Sequence, residues 1–597
     1  ANITDRLKFG LRMSATQSDN KLVRSEDAWS REGLVITALM YHPNLPAYNA
    51  DGSIATDHML IENKNGVNVA QIQNPVALAM MVKNELTTRN FSGNADLEYT
   101  ILDGLKLKTS FGVESIGMHR IYYRPKGLSA RYEMAPTTTY NVGDDTRSSI
   151  FNWISETNLT YSKSFAKHDL EALLNFSAQK ERSEYTYLHG TNFPNDNVTT
   201  LNAASVTNGS SYAQEAAMIS FLGRVMYSYD NKYMLTASLR RDGSSRFAKN
   251  SRWGWFPSAA LAWKVSNENF LKDNKVLNNL KLRLGWGATG NQNVENWAYM
   301  ALLASKTTPW GTGVLNGNNA NPNLKWETTY STNVGLDFAF FNNRIEFIVD
   351  WYYKKTKDLL LQMPLPGFLG STGQGAATNP WANVGSIRNT GVEFTLNTVN
   401  IDKGDFLWRS NVVFSLNRNK VTALDTENSE LYYNLSIGSD NTNVTKTVVG
   451  KPIGQFWGYK VVGMFNKPED FYYKDAQGNV KQVALPEGET IGKNEAWLGD
   501  FIFADINGDG VITNDDQTFI GNPEPKFTWG FGNTFSYKGF DLTVFFTGSY
   551  GNDVINYNRR WTEITGSTSN LSKDVLGYAR VEMIDPNGPD DFRNYHV

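Results

Sequence analysis

From Phe527 to Tyr550 the chain reads FTWGFGNTFSYKGFDLTVFFTGSY, with a strict period of two on either side of Lys538-Gly539. Phe527, Trp529, Phe531, Phe535 and Tyr537 fall on one face, and Thr528, Gly530, Gly532, Thr534 and Ser536 on the other. After the turn, Phe540, Leu542, Val544 and Phe546 alternate with Asp541, Thr543, Phe545 and Thr547. Successive side chains of a strand point to opposite faces, so this is a hairpin with one greasy and one polar face. Aromatic rings at the ends of the apolar face, with small hydroxylated residues opposite, are what a strand shows when its outside meets lipid and its inside meets water. A soluble antiparallel sheet with one solvated face accounts for a single hairpin equally well. How often the pattern returns separates the two.

It returns along the whole chain. Alternation recurs at residues 3–13, 90–100, 105–115, 150–161, 169–180, 219–228, 233–241, 255–265, 280–286, 334–340, 345–354, 391–398 and 407–417, before the final hairpin. That makes about fifteen strands of roughly ten residues, the length that crosses a bilayer when tilted. Tight turns at Asp103-Gly104, Asp230-Asn231, Asn342-Asn343 and Lys538-Gly539 alternate with long connections at 14–89, 117–149, 179–218, 287–326, 359–388 and 418–525. The intermediate connection 266–279 falls on the short-turn side. A sandwich or propeller has no reason to put every long loop at one end, whereas a membrane barrel has short turns inside and long loops outside. Mid-strand charges at Arg224, Asp337, Glu346, Asp350 and Lys354 lie opposite the aromatics, where they would line an aqueous interior. The expected fold is therefore an all-β transmembrane antiparallel barrel spanning residues 1–597, with 418–525 as its largest extracellular loop.

Composition closes off other classes. Charged residues are 20% with a net charge of −3, which lacks the electrostatic footprint of a nucleic-acid binder. A mean hydropathy of −0.42 without a long apolar run excludes spanning helices, and barrel strands keep that average low. Without cysteine there is no disulfide framework, thiolate nucleophile or cysteine-held metal. Gly285-Trp-Gly-Ala-Thr-Gly290 fits a dinucleotide fingerprint in letters only, because no amphipathic helix follows, and reads better as glycines at a strand tip. The six histidines show no metal-ligand spacing and no nucleophile elbow or phosphate loop occurs, so no enzyme is expected. Trp310, Trp381, Trp457 and Tyr459 are loop aromatics that suit sugar or peptide stacking, but equally a membrane girdle or a loop core.

One chemical motif stands out. Asp505-Ile-Asn507-Gly-Asp509-Gly510-Val511-Ile-Thr-Asn-Asp-Asp516 matches a twelve-residue calcium loop. Asp505, Asn507, Asp509, the Val511 carbonyl and Asp516 would supply hard oxygens to Ca²⁺, with Gly510 permitting the bend. Asp in the twelfth place reaches less far than Glu, and the same residues suit an Asx-rich turn. No helical pattern flanks the loop, so a bound ion would stiffen an external loop.

Several stretches together resemble one family. They are Lys232-Tyr-Met-Leu-Thr-Ala-Ser-Leu-Arg-Arg-Asp-Gly-Ser-Ser-Arg-Phe247 with Trp253-Gly-Trp-Phe-Pro-Ser258, Gly287-Ala-Thr-Gly-Asn291, Asn321-Pro-Asn-Leu-Lys-Trp-Glu327 with Asn333-Val-Gly-Leu-Asp337, Asn389-Thr-Gly-Val-Glu393, and Asp505 through Asn522-Pro523. In this order they are similar to the SusC/RagA family of TonB-dependent outer-membrane transporters. The resemblance implies a barrel of about 22 strands in the bacterial outer membrane, with roughly four further strands before this sequence and three after it. It also implies an N-terminal plug and TonB box outside it, and both ends of the sequence read as cut. The function it implies is active import of a glycan or peptide oligomer. A SusD-like surface lipoprotein would act as lid, TonB would act through the N-terminal region, and lipid would surround the wall. A secreted or surface glycan-binding protein, or an adhesin without transport, is the competing expectation.

Overall fold

The computed structural model describes residues 2–23, 33–43, 45–56, 74–126, 128, 140–272, 274–363, 377–425, 429–437, 440–493, 495–563, 570–578 and 580–597. Fifteen strands form one antiparallel sheet, each hydrogen-bonded to the next in chain order. They are β1 (Leu7–Lys21), β2 (Lys83–Leu102), β3 (Leu105–Arg124), β4 (Val142–Phe165), β5 (His168–Thr191), β6 (Val206–Tyr229), β7 (Tyr233–Ser244), β8 (Trp253–Lys264), β9 (Leu277–Asn291), β10 (Glu327–Phe340), β11 (Ile345–Lys357), β12 (Ser386–Lys403), β13 (Phe406–Ala423), β14 (Phe527–Tyr537) and β15 (Phe540–Tyr550). Every alternating stretch of the sequence falls on one of these strands, apart from residues 3–6 and 265, which lie just outside β1 and β8. Among the described residues no helix is long and apolar enough to cross a membrane.

Turn chemistry fixes the strand order. Asp230 and Asn231 have φ of 52° and 51°, and Lys538 and Gly539 have 46° and 84°. Two consecutive left-handed residues give a turn whose twist matches that of the flanking strands, so adjacent strands pair as hairpins. All the tight connections lie at one end of the sheet, as the alternation of loop lengths requires.

The strands are longer than expected. β2 and β3 run 20 residues, and β4, β5 and β6 run 24. The long connections shrink accordingly: 14–89 becomes 22–82, 117–149 becomes 125–141, and 179–218 becomes 192–205. The extra pairs, such as Arg182↔Glu215 and Tyr185↔Tyr212, satisfy the backbone without an apolar face. They carry no hydrophobic signal because both faces stand in water beyond the bilayer. For the same reason 418–423, counted with the largest loop in the sequence, belongs to β13.

Register assigns each side chain to a face. Leu282, Leu336, Val349, Phe394, Phe414 and Trp529 are successive partners across β9 to β14 and make one apolar row. One residue along, Arg283, Gly335, Asp350, Glu393, Ser415 and Thr528 make a polar row. A cavity of about 500 Å³ on the polar side is bounded by Asn94, Glu114 and Asn152 and also by Arg246 and Gln292, from connections several strands away. The polar face is therefore the concave one.

A cation introduced at mid-height of the apolar face should be far more costly than one on the polar face. Val349→Arg is expected to destabilise the folded protein in lipid vesicles by about 2–4 kcal/mol. Thr395→Arg, across from Ile348 on the concave face, should change it little; guanidinium unfolding titrations of both variants check this.

Candidate functional site

The concave face is wired by charge and amide contacts between strands. Arg283 on β9 reaches Asp337 on β10 through Nε and Nη2 (2.9 and 2.6 Å) and Asp350 on β11 through Nη1 and Nη2 (2.8 and 3.0 Å). One guanidinium thus holds two carboxylates from neighbouring strands by paired donors. Gly335 makes the room: a Cβ there would stand 2.4 Å from Asp350 Oδ1 and 2.5 Å from Arg283 Cζ. Elsewhere Arg224 meets Glu171 (3.2 Å), Asn175 meets Asn158 (2.8 Å) and Asn411 meets Asn397 (2.7 Å). These groups present hydrogen-bonding capacity to a water-filled interior and offer no nucleophile with an adjacent base.

At the long-loop rim, the motif residues turn out to be structural. Tyr352 donates to Asn417 Oδ1 (2.9 Å), Asn417 donates to Glu524 (2.8 Å) and to Asn389 (3.2 Å), and Asn419 donates to Asn389 (2.9 Å). Gly391 is required because a Cβ would come within 2.4 Å of the Tyr352 ring. Glu524, at the end of the largest connection, is thereby pinned to the wall. Phe247, Phe256, Val294, Leu324 and Trp326 form a second rim cluster, with Trp326 Nε1 donating to the Arg252 carbonyl at 2.9 Å. Gly254 and Gly290 lie beneath the Phe256 and Trp326 rings, and Gly287 lies against Ser258, so these three glycines serve packing.

The connection 424–526 is a folded module. Its four-stranded sheet comprises Glu430–Ile437, Asp440–Val448, Gln455–Tyr459 and Gln517–Gly521. A separate core of Phe465, Phe471, Leu485, Ala496 and Leu498 lies beside it, with Phe465 stacked on Phe471 at 4.0 Å. Lys446, only 9% exposed, ion-pairs with Glu430 at 2.7 Å and lies 4.0 Å from the Trp457 ring centroid and 5.3 Å from that of Tyr432. Trp457 Nε1 donates to Gln517 (2.7 Å) and Tyr459 to Asn514 (3.1 Å), so both aromatics are built into the module. An open cavity of about 760 Å³ lies between Tyr432, Trp457, Asn514 and Asp515. Trp381 packs on the rim cluster, whereas Trp310 is 94% exposed.

The candidate calcium ligands come together in one loop of this module. Asp505 accepts from the N–H groups of Gly508 (2.6 Å) and Gly510 (2.9 Å), Asn507 Oδ1 accepts from Asp509 N–H (2.9 Å), and Asp509 Oδ1 accepts from Val511 N–H (2.9 Å). Gly508 and Gly510 have φ of 77° and 89°, which makes the bend. Asp516 is fully buried and accepts from Ile506 N–H and Thr513 N–H, both at 2.8 Å. Asn507 Oδ1 and Asp509 Oδ1 each keep a lone pair beyond the one that the N–H partner uses, whereas both Asp516 oxygens accept twice, from Ile506 and Asn507 N–H and from the Thr513 N–H and hydroxyl. Among the described residues no group of three or more histidine or acidic side chains converges on one point.

A family model described as TonB dependent receptor-like, beta-barrel matches residues 41–482. TonB-dependent receptor P3 of Formosa agariphila is 33% identical over 586 residues, covering 96% of this chain and 55% of the relative. TonB-dependent receptor SusC of Bacteroides thetaiotaomicron is 30% identical over 601 residues, covering 95% and 54%. The solved structure of the RagAB peptide transporter aligns with a TM-score of 0.79 at 22% identity, over 96% of this chain and 60% of that one, a likeness of fold. The chain spans about half the length of the curated relatives it matches.

Asp516 gives the 505–516 loop a pH dependence. The Thr513, Ile506 and Asn507 N–H groups hold its carboxyl below the ordinary 3.8, Thr513 most strongly, against the opposing effect of burial. Its contribution to loop stability is therefore complete above the unfolded value and is lost as pH falls through the lower folded one. The Ile506 and Thr513 amides are expected to be protected from hydrogen exchange at neutral pH and to lose protection below that range. Asp516→Ala should abolish the protection at every pH, measured by exchange mass spectrometry.

Proposed function

The chain belongs to the TonB-dependent receptor-like β-barrel family, and on that premise we propose that it forms the wall of a channel for TonB-driven import of an oligomeric nutrient. Family and fold put the barrel in the outer membrane. The observation that carries the reading is the charge-wired concave face beneath a rim where all the long connections gather. Such a lumen gives a hydrated oligomer a polar path, and the rim gives it a capture surface. We assign the cargo to glycans or peptides too large for passive pores, and the groove at Tyr432 and Trp457 to first contact, since an exposed Tyr432 ring and a half-buried Trp457 beside amides and carboxylates suit either polymer. A SusD-like surface lipoprotein would dock on the rim, and TonB would act through a plug inside the barrel, because about 22 strands enclose a lumen that leaks unless filled. No part of this reading asks the chain to catalyse a reaction. Cells carrying the intact gene should take up the cognate oligosaccharide or oligopeptide only when TonB is present, and equal uptake without TonB would leave a passive channel or adhesin.

We also propose that the 505–516 loop binds Ca²⁺, held by Asp505, Asn507, Asp509, the Val511 carbonyl and Asp516. The Asp505-to-Gly510 wrap and the left-handed glycines support it. The ion would pin the turn next to Asn514 and Asp515, which edge the Tyr432 groove. Calorimetry of the full-length protein should show one Ca²⁺ site that Asp505→Ala and Asp509→Ala remove. Heat release unchanged by both substitutions assigns the loop to plain Asx turns.

A further inference from the structure

The convex face carries a row of cations that the fold leaves without anions. Lys355 on β11 is directly opposite Arg388 on β12, and Arg388 is directly opposite Lys420 on β13. Tyr330 on β10 faces Lys355 from the other side. Register puts all four on the apolar face, with Val349, Phe394 and Phe414 further down the same strands. Arg418 lies one step lower on that face, and Lys357 one step higher. Like charges in opposite cross-strand positions repel one another. Among the described residues Lys355, Arg388 and Lys420 make none of the ion pairs found in the protein.

The same face treats cations differently elsewhere. Lys180 and Arg182 on β5 also stand above the apolar band, and both are paired to Glu215 (3.0 and 3.1 Å), with Arg182 reaching Glu184 as well (2.7 Å). There the fold supplies carboxylates for its outward cations. Across β11 to β13 the described residues supply none, which leaves the row open to a counter-charge from outside the chain.

Height identifies the source. Below the cationic row come a belt of Trp286, Thr332, Tyr353 and Thr390, then rows that are wholly apolar, and the first polar row at the short-turn end contains Thr398, Ser410 and Asn533. The ten steps from Ser410 to Lys420, at about 3.3 Å each and tilted by about 45°, rise about 23 Å, close to the apolar height of an outer-membrane barrel. Tryptophan and tyrosine mark the interface, so the cations stand at the level of the headgroups. Arg241 occupies a similar place on β7, its Cζ 4.5 and 5.0 Å from the Trp253 and Trp255 rings. We propose that Lys355, Arg388 and Lys420, flanked by Arg418 and Lys357, form a binding site for the phosphate headgroup of an outer-leaflet lipid. Arginine's fork suits phosphate bidentately, and the lysines add compact charge on either side.

Native mass spectrometry of the full-length protein in detergent tests the site, with monophosphoryl lipid A as probe. The reference is phosphatidylcholine, whose phosphate is neutralised by its own ammonium. The wild type should retain the phosphomonoester lipid roughly tenfold better than the reference. K355Q/R388Q/K420Q should lose that preference, K355R/K420R should keep it, and millimolar inorganic phosphate should not displace the lipid. Heat-modifiable migration on gels verifies that each variant folds; if the triple variant does not, R388Q alone carries the comparison. Equal retention of the two lipids by the wild type, or an undiminished preference in the glutamine variant, overturns the proposal. So does displacement by inorganic phosphate, which would make this a site for the free anion.

Discussion

Hydrocarbon offers no partner to a peptide N–H or carbonyl, so a chain that crosses it as strands must pair every backbone group with a neighbouring strand. The ladder from β1 to β15 follows from that requirement, and the rest of the molecule follows from the ladder. Side chains have a period of two, so a slip of one residue would turn every lipid-facing ring into the lumen and every lumen charge into lipid. Register therefore has to be held at both ends of each hairpin. At the short end left-handed pairs such as Asp230-Asn231 and Lys538-Gly539 do this, and at the other end rim contacts such as Tyr352 to Asn417 take over.

A barrel wall of this kind has no central hydrophobic core to lean on. Its cohesion comes from apolar rows in contact with lipid, from aromatic clusters at the rim, and from polar ties across the concave face. Arg283 illustrates why the ties are charged and glycines so well placed. Asp337 and Asp350 would repel each other across adjacent strands; one guanidinium satisfies both, and the missing Cβ at Gly335 lets it lie flat between them. The same economy recurs where Gly391 admits Tyr352 and where Gly254 and Gly290 admit Phe256.

Alternation and turn chemistry made all fifteen strands legible, because the lipid-facing side chains had to be apolar. Where strands rise above the membrane that demand ends, and the outer halves of β4 to β6 read as loop although they pair as regularly as the rest. Of the motifs that carried the family resemblance, Trp326, Gly290 and Gly391 are packing residues of the rim, in keeping with the reading of 285–290 as glycines at a strand tip. The 505–516 loop stays double in meaning for a physical reason. Asx turns and cation loops use the same short oxygen-bearing side chains on the same tight backbone, and only the ion distinguishes them. The cations at Lys355, Arg388 and Lys420 were invisible in one dimension, since their adjacency exists only across strands.

Period two also separates the duties of the two faces. A change on the concave face at Glu393 or Asn411 alters what the lumen offers a passing molecule, while Val392, Phe394 and Val412 beside them go on meeting lipid. The rim module escapes this independence. Both its ends enter neighbouring strands, at Ala423 and Phe527, and Glu524 ties it to Asn417 and Asn419 on the concave side. Any tilt of the module must therefore pull on the asparagines that join β12 to β13, the same two strands whose convex side bears Arg388 and Lys420. Rim, lumen and lipid contact thus meet mechanically at this pair of strands.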